Sequence, residues 1–128
     1  SEIEQEIKTY IGSKFRVTFT PHLIPMFRGI LSTIYIDLKS NTTQSKIIKE
    51  LRKFYKNKKF VKIMNKDKLL STNDVINTNY CQISVCKTKY QNKLILLSVI
   101  DNLIKGGSGQ AIQNMNDKFN FKENEGLM

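Results

Sequence analysis

The chain has 128 residues, 40% of them hydrophobic, which is enough for one domain with a core and excludes a disordered polar tract. No apolar run approaches the roughly 18–20 residues of a membrane span, and no charged leader precedes an apolar stretch, so neither a membrane partner nor export is expected. The net charge is +10, and only three of the 21 basic residues are arginines. This composition favours a solvated lysine-rich surface over a nucleic-acid site.

The first half of the sequence predicts two helices separated by two strands. Residues 2–11 carry apolar side chains at helical spacing and acidic ones near the amino end, and Gly12 offers a left-handed stop. Residues 15–19 alternate between apolar and polar, which is typical of a half-buried strand. Residues 28–38 are rich in β-branched side chains and predict a central strand, and residues 44–56 predict an amphipathic helix with a threonine cap.

The second half predicts three strands and a final helix. Residues 60–64 form a short apolar run, and residues 80–90 and 94–100 lie on either side of a tight turn, which predicts a hairpin. The last helix is expected within residues 101–120. An element order of αββαβββα with antiparallel hairpins indicates an α+β fold, in which helices cover an antiparallel or mixed sheet, and residues 1–128 are expected to form a single domain.

Two cysteines, Cys81 and Cys86, are too few for a disulfide framework. Their odd spacing on one predicted strand points them to opposite faces, so they are not expected to bridge each other. A reducing, cytoplasmic setting is the simplest interpretation. His22 is the only histidine; the sequence therefore offers no tetrahedral metal set, and nothing in it brings His22 beside either cysteine as a nucleophile pair.

Two candidate functional residues follow the first predicted strand. His22 lies in a loop between two prolines, where functional side chains concentrate, although a lone histidine is more often a structural hydrogen-bonding group. Arg28 begins the next strand beside Gly29, which permits close approach of the backbone. An arginine on a sheet is suited to clamp a carboxylate or phosphate, and an ion pair within the fold is the equal alternative.

A glycine-rich segment, Lys105–Gly109, precedes the last helix. Backbone N–H groups at a helix start can point outward and bind a phosphate or a cofactor. The segment is not the dinucleotide-binding fingerprint, because Ile112 stands where the third glycine belongs, and its lysine does not make a P-loop. Glycines of this kind also serve packing or capping, and that alternative stays open.

Several segments of the sequence closely resemble the N-acetyl-gamma-glutamyl-phosphate reductases. They are Glu2–Ile7, Phe19–Met26, Arg28–Leu31, Asn79–Cys81 and Ser98–Asn116. The resemblance covers essentially the whole chain, and the last segment is long enough to be highly specific. It implies the α+β substrate and dimerisation domain of the glyceraldehyde-phosphate and semialdehyde dehydrogenase type, placed at the carboxy-terminal end of such an enzyme.

The resemblance also implies an activity. The family uses NADPH to reduce N-acetyl-gamma-glutamyl phosphate to N-acetylglutamate 5-semialdehyde, with release of phosphate, in arginine biosynthesis. A cysteine thiolate attacks the acyl phosphate, and a histidine moves protons. The family's Gly-Cys-Tyr-Pro segment and its catalytic histidine have no match here, so both are expected on a preceding NADP-binding half. The expected partners are the acyl phosphate, that half and further copies in a homo-oligomer, and the chain alone is expected to be inactive.

Three groups of residues carry over from the family by position. Glu2 matches the acidic residue that follows the family's histidine motif and would orient that imidazole. His22 and Arg28 match the loop and strand that line the acyl-substrate pocket. A third group matches the segment leading into the final helix over residues 101–120, which returns to the cofactor domain near the nicotinamide of NADP(H): Asn102, Gly106, Gly107, Ser108, Gly109 and Gln110.

Three alternatives remain beside this interpretation. A related reductase of lysine biosynthesis acts on aminoadipyl phosphate, which is one carbon longer, and substrate length is set by a pocket that this chain only partly encloses. A basic module that binds nucleic acid would show strongly salt-dependent binding, which the reductase would not. The third alternative is a non-catalytic dimerisation module.

Overall fold

The structure, a computed structural model, describes residues 2–12, 17–39 and 41–127. Over these residues the chain forms three α-helices and four β-strands, in the order α1 (Glu2–Ile11), β1 (Ile30–Asp37), α2 (Gln44–Phe54), β2 (Val61–Ile63), β3 (Cys81–Lys87), β4 (Lys93–Ile100) and α3 (Gly109–Lys118). A 3₁₀ turn, Thr72–Asp74, and a π-helical turn, Ile104–Ser108, lie between them. Within the same ranges, every helix falls short of the length and apolar character that a bilayer crossing requires.

The four strands form one mixed sheet in the order β1-β4-β3-β2. β4 runs antiparallel to both of its neighbours, with Ile100 opposite Ile30 of β1 and Cys81 of β3, and β2 runs parallel to β3. The predicted hairpin of β3 and β4 is therefore confirmed, and so is the α+β class. The pairing of Ile30 with Ile100 also places the residues just before β1 beside those just after β4.

Each face of the sheet has its own apolar core. α2 covers one face, where Ile48 packs against Val85 and both are buried. On the opposite face Val99 is fully buried beneath Leu70 and Val75, which belong to the irregular stretch between β2 and β3. Burying each side chain of this size stabilises the fold by about 1.5–3 kcal/mol, so the irregular stretch is part of the core.

Local signals fix the first two helices. Gly12 has a φ of +89°, and its N–H donates to the Lys8 carbonyl at 2.9 Å, so Gly12 ends α1 as the predicted left-handed stop. Thr43 caps α2, because its side-chain oxygen accepts a hydrogen bond from the backbone N–H of Lys46 at 3.2 Å. α2 ends at Phe54, two residues before its predicted end.

Two strand predictions differ from the structure. Residues 17–20 form no strand and pair with no strand of the described sheet, and Phe15 lies outside the described residues. Alternation is a local pattern, whereas a strand persists only beside a partner, and here Phe19 is 58% exposed. β1, predicted as a central strand, lies at the edge of the described sheet, where Tyr35 is exposed.

Candidate functional site

The densest polar contacts surround Asp101, which directly follows β4 and is fully buried. The guanidinium of Arg28 lies 2.8 Å from its carboxylate, joining Arg28 Nη2 to Asp101 Oδ2. The backbone N–H of Asn77 donates to the same oxygen at 2.8 Å, and the Asn77 side-chain oxygen accepts from Arg28 Nη2. The β1–β4 pairing brings these segments together, because Arg28 lies just before β1. We call Arg28, Asn77, Asp101 and Asn102 the Asp101 cluster.

The second carboxylate oxygen of Asp101 holds the chain that follows it. Asp101 Oδ1 accepts from the backbone N–H groups of Leu103 at 2.9 Å and Ile104 at 3.2 Å. Burial raises the pKa of Asp101, but the N–H donors of Asn77, Leu103 and Ile104, together with the Arg28 charge, outweigh burial and leave the pKa below its usual range. Asp101 is therefore a carboxylate at neutral pH.

Asn102 makes a second link across the same junction. Its side-chain oxygen accepts from the backbone N–H of Gly29 at 2.7 Å, so its Nδ2 group is the one left to donate elsewhere. Gly29 has a φ of +109°, and a Cβ there would lie 2.7 Å from the Thr72 side chain. Glycine is thus required at this position both for the backbone conformation and for space.

The glycine-rich segment forms a turn with π-type hydrogen bonds, kinked at Gly107 where φ is −147° and ψ is −109°, rather than an open loop. Its N–H groups donate five residues back, from Gly106 to the Asp101 carbonyl and from Ser108 to the Leu103 carbonyl, both at 3.0 Å, and the N–H of Gly109 donates to Ile104. The expectation that these N–H groups point outward is therefore wrong for Gly106, Ser108 and Gly109, because the turn uses them internally.

The glycines of this segment differ in their surroundings. Gly109 is buried, and a Cβ there would lie 2.4 Å from Asn79 Oδ1 and 2.9 Å from the Ile104 carbonyl oxygen, so Gly109 permits close packing. Gly106 and Gly107 are exposed, and a Cβ on either would meet its nearest neighbour only at 3.5 and 3.6 Å, respectively. The segment therefore presents a stretch of backbone without side chains to its surroundings.

A second polar group, which we call the Gln113 cluster, consists of Asn79, Lys105, Gln113 and Glu123. Gln113 Oε1 accepts from Lys105 Nζ at 2.7 Å and from Asn79 Nδ2 at 3.0 Å, and Gln113 Nε2 donates to Glu123 Oε1 at 2.9 Å. Burial lowers the pKa of Lys105, and the nearby Cys81 and Glu123 oppose that shift only in part. These contacts join α3 to the residues just before β3, to the turn before α3 and to the residues after α3.

The remaining candidates lie apart from the Asp101 cluster. His22 is exposed, and its Nδ1 lies 3.1 Å from the carbonyl oxygen of Thr20 in its own loop. Glu2 begins α1, and its side chain lies outside what the structure describes. Of the predicted residues, the structure thus brings together Arg28, Asn102 and the start of the glycine-rich segment.

The two cysteines occupy opposite faces of β3, as their spacing predicts. Cys81 Sγ lies 3.5 Å from Ser98 Oγ, whereas Cys86 Sγ lies 3.9 Å from the Lys68 carbonyl oxygen, and both thiols are free. Among the described residues, no three His, Cys, Asp or Glu side chains form a group that could hold a metal ion.

Sequence reasoning missed Asp101 and the Gln113 cluster. A usable signal existed for Asp101, because an aspartate between an apolar strand and a helix is a typical helix cap. Its bond to Arg28 depends on the pairing of two strands far apart in sequence, which no local pattern reveals.

Comparisons with known proteins agree with the fold. A family model described as the semialdehyde dehydrogenase dimerisation domain matches residues 1–102. The chain is 46% identical over 126 residues to the N-acetyl-gamma-glutamyl-phosphate reductase of Thermoanaerobacter pseudethanolicus, covering 98% of this chain. It is 46% identical over 128 residues to the enzyme of that name from Halothermothrix orenii, covering 99% of this chain. In both comparisons the chain spans 37% of the relative's length.

Proposed function

Because the chain belongs to the semialdehyde dehydrogenase dimerisation-domain family, we propose that it forms the substrate and dimerisation part of an NADPH-dependent reductase. The proposed reaction converts N-acetyl-gamma-glutamyl phosphate to N-acetylglutamate 5-semialdehyde and phosphate, a step of arginine biosynthesis in the cytoplasm. The observation that carries the proposal is 46% identity, over nearly the whole chain, to reductases named for that substrate. In this proposal residues 1–128 act as one domain.

On the substrate side we assign Arg28 and His22 to the acyl phosphate. The Arg28 side chain is only 16% exposed and its Nη2 is bound to Asp101 and Asn77, so its planar fork is held in one orientation. With Nη2 occupied and Nε buried, Nη1 is the guanidinium nitrogen that can donate to an anionic group of the substrate. His22, in the exposed loop before β1, has a ring nitrogen available to the same substrate when the loop lies over it. Glu2 is assigned to orient the imidazole of the catalytic histidine.

On the cofactor side the glycine-rich segment fits a flat ring. Gly106 and Gly107 expose backbone with room at their Cα atoms, and Asn102 keeps its Nδ2 to donate. Gln110 donates its Nε2 to Asn114 at 2.7 Å, which leaves its amide oxygen to accept, and Ser108 and Gly109 complete the segment. NADPH supplies a hydride when bound, and the role of residues 101–120 is to meet the NADP-binding portion and to seat the nicotinamide.

The proposal includes a homo-oligomer, in keeping with a family described by its dimerisation domain. β1 exposes large apolar side chains on both of its faces, with exposed fractions of 48% at Ile30, 44% at Leu31, 45% at Ile34 and 75% at Tyr35. A soluble monomer rarely leaves so many large apolar groups together on one strand, which is the pattern of an interaction surface. We assign this strand to contacts within the assembled enzyme.

The test is enzymatic and uses the full-length protein. Incubation with N-acetylglutamate 5-semialdehyde, NADP and phosphate should produce NADPH, which is measured by its absorbance. The semialdehyde of aminoadipate, offered in parallel, should react far more slowly. Faster turnover of that longer substrate would move the enzyme to lysine biosynthesis, and no NADPH from either would overturn the proposed function.

A further inference from the structure

Asp101 connects parts of the chain that the proposed function assigns to different ligands. Its Oδ2 holds Arg28, the proposed substrate contact, at 2.8 Å. Its Oδ1 holds the N–H groups of Leu103 and Ile104, which begin the turn containing the proposed cofactor contacts. The carbonyl oxygen of the same residue accepts from Gly106 within that turn at 3.0 Å. One buried residue therefore fixes both elements.

The neighbouring residues reinforce this connection. Gly29, next to Arg28, donates to the side chain of Asn102, next to Asp101, at 2.7 Å. The two links run side by side from the start of β1 to the end of β4. A shift of the glycine-rich turn relative to Arg28 would have to break a buried ion pair and a backbone hydrogen bond together, and both are costly to leave unpaired.

We propose that Asp101 is a positioning residue that sets Arg28 and the glycine-rich turn at a fixed separation, and thereby couples binding of the anionic substrate to binding of the nicotinamide. The inference rests on the proposed function, because it needs both ligands. Asp101 is fully buried, so its carboxylate is not exposed to a ligand. Asp101 therefore acts on the substrate through the guanidinium of Arg28 and on the nicotinamide through the glycine-rich turn. Binding of each ligand then changes the affinity of the enzyme for the other.

Two substitutions in the full-length enzyme test the coupling from its two ends. Asp101→Asn keeps an oxygen for Leu103 and Ile104 but replaces the other with a donor, which opposes the donors of Arg28 and Asn77. Arg28→Gln removes the same ion pair from the side of its partly exposed partner, so the variant is more apt to fold than one changed at the fully buried Asp101. Each variant should raise both the KM for the semialdehyde and the dissociation constant of NADPH, by about tenfold, a middle value for coupled sites.

The dissociation constant of NADPH in Arg28→Gln is the decisive measurement, taken by fluorescence on folded protein. Arg28 is assigned to the substrate alone, so a purely local role would leave that constant at its wild-type value, and this result would overturn the coupling. The control is Glu50→Gln, which removes an exposed carboxylate from α2 and should change the binding of neither ligand. A wild-type enzyme without reductase activity would instead overturn the proposed function itself.

Discussion

The guanidinium of Arg28 lies 2.8 Å from the carboxylate of Asp101, just beyond the Ile30–Ile100 pair that ends the β1–β4 ladder. The two side chains are 16% and 0% exposed, so each depends on the other for compensation of its charge. The ion pair within the fold and the anion clamp were alternatives for Arg28 in the sequence. The structure shows the ion pair, and the clamp remains a proposal that uses the same oriented fork.

Arg28→Lys should damage catalysis strongly in the full-length enzyme. Lysine keeps the charge but loses the planar fork that can hold Asp101 and meet an anionic substrate together. We expect kcat/KM to fall by an amount worth about 2–3 kcal/mol, which steady-state kinetics measures. Arg52→Lys is the control, because Arg52 is exposed and donates to Asn65 on the surface. Near-normal kinetics in Arg28→Lys would show that the fork is not used by the substrate.

Acid should destabilise the protein through Asp101. Its folded pKa is depressed, so its contribution to stability is present above the unfolded pKa of about 4 and is lost as the pH falls through the folded pKa. The difference in unfolding free energy between the wild type and Asp101→Asn should therefore be largest above about pH 4 and should shrink below it. Urea denaturation at a series of pH values measures this difference. A constant difference across the series would contradict the assignment of a charged Asp101.

The 128-residue chain alone should form no NADPH from the semialdehyde, NADP and phosphate. Cys81 is half-buried beside Ser98, Cys86 is buried beside the Lys68 carbonyl, and the contact of His22 is with Thr20, so the described residues hold no thiol paired with a histidine base. Turnover by this chain that is lost on Cys81→Ser or Cys86→Ser would refute the assignment of the nucleophile to another part of the enzyme.

The sequence predicted those parts of the fold that depend on local patterns. α2 follows from helical spacing and a threonine cap, and the β3–β4 hairpin from two apolar stretches around a short turn. The strand over residues 15–19 could not be judged in this way, because pairing depends on a neighbour. The burial of Leu70 and Val75 could not be predicted either, because they lie in an irregular stretch and are buried by packing against the sheet.

The candidate site was predictable only in part for the same reason. Arg28, Asn102 and the glycine-rich segment were identified from residue type and family resemblance, and the structure places them together. The register of β1 with β4, and with it the contact between Arg28 and Asp101, is a long-range property. The prediction that the N–H groups point outward was wrong. Glycines permit a helix to begin but do not specify whether its first turn is of the α or the π type.

Gly109→Ala should lower the free energy of unfolding, an effect that the sequence alone does not predict. The added Cβ would lie 2.4 Å from Asn79 Oδ1 and 2.9 Å from the Ile104 carbonyl, and the backbone atom cannot move aside easily. We expect a loss of about 1–3 kcal/mol in unfolding free energy, measured by urea denaturation. Gly106→Ala is the matched control, because its Cβ would have its nearest neighbour, the Ile100 side chain, only at 3.5 Å. An unchanged midpoint in Gly109→Ala would mean that α3 shifts freely against Asn79.

Gly107→Val tests whether the glycine-rich segment faces the cofactor or serves packing within the protein. Gly107 is exposed, and a Cβ there would meet only the Asn102 carbonyl oxygen, at 3.6 Å. If the bare backbone of Gly106 and Gly107 seats the nicotinamide, the branched side chain should occupy the place of the ring and weaken NADPH binding in the full-length enzyme by about tenfold or more, equivalent to at least 1.4 kcal/mol. The dissociation constant of NADPH and the urea midpoint are measured side by side. Ser45→Val, at an exposed position on α2 and outside residues 101–120, adds similar bulk and should leave NADPH binding unchanged. A Gly107→Val protein whose midpoint falls sharply while its folded fraction binds NADPH normally would show that these glycines serve packing, and the cofactor assignment of Gly106–Gln110 would fail.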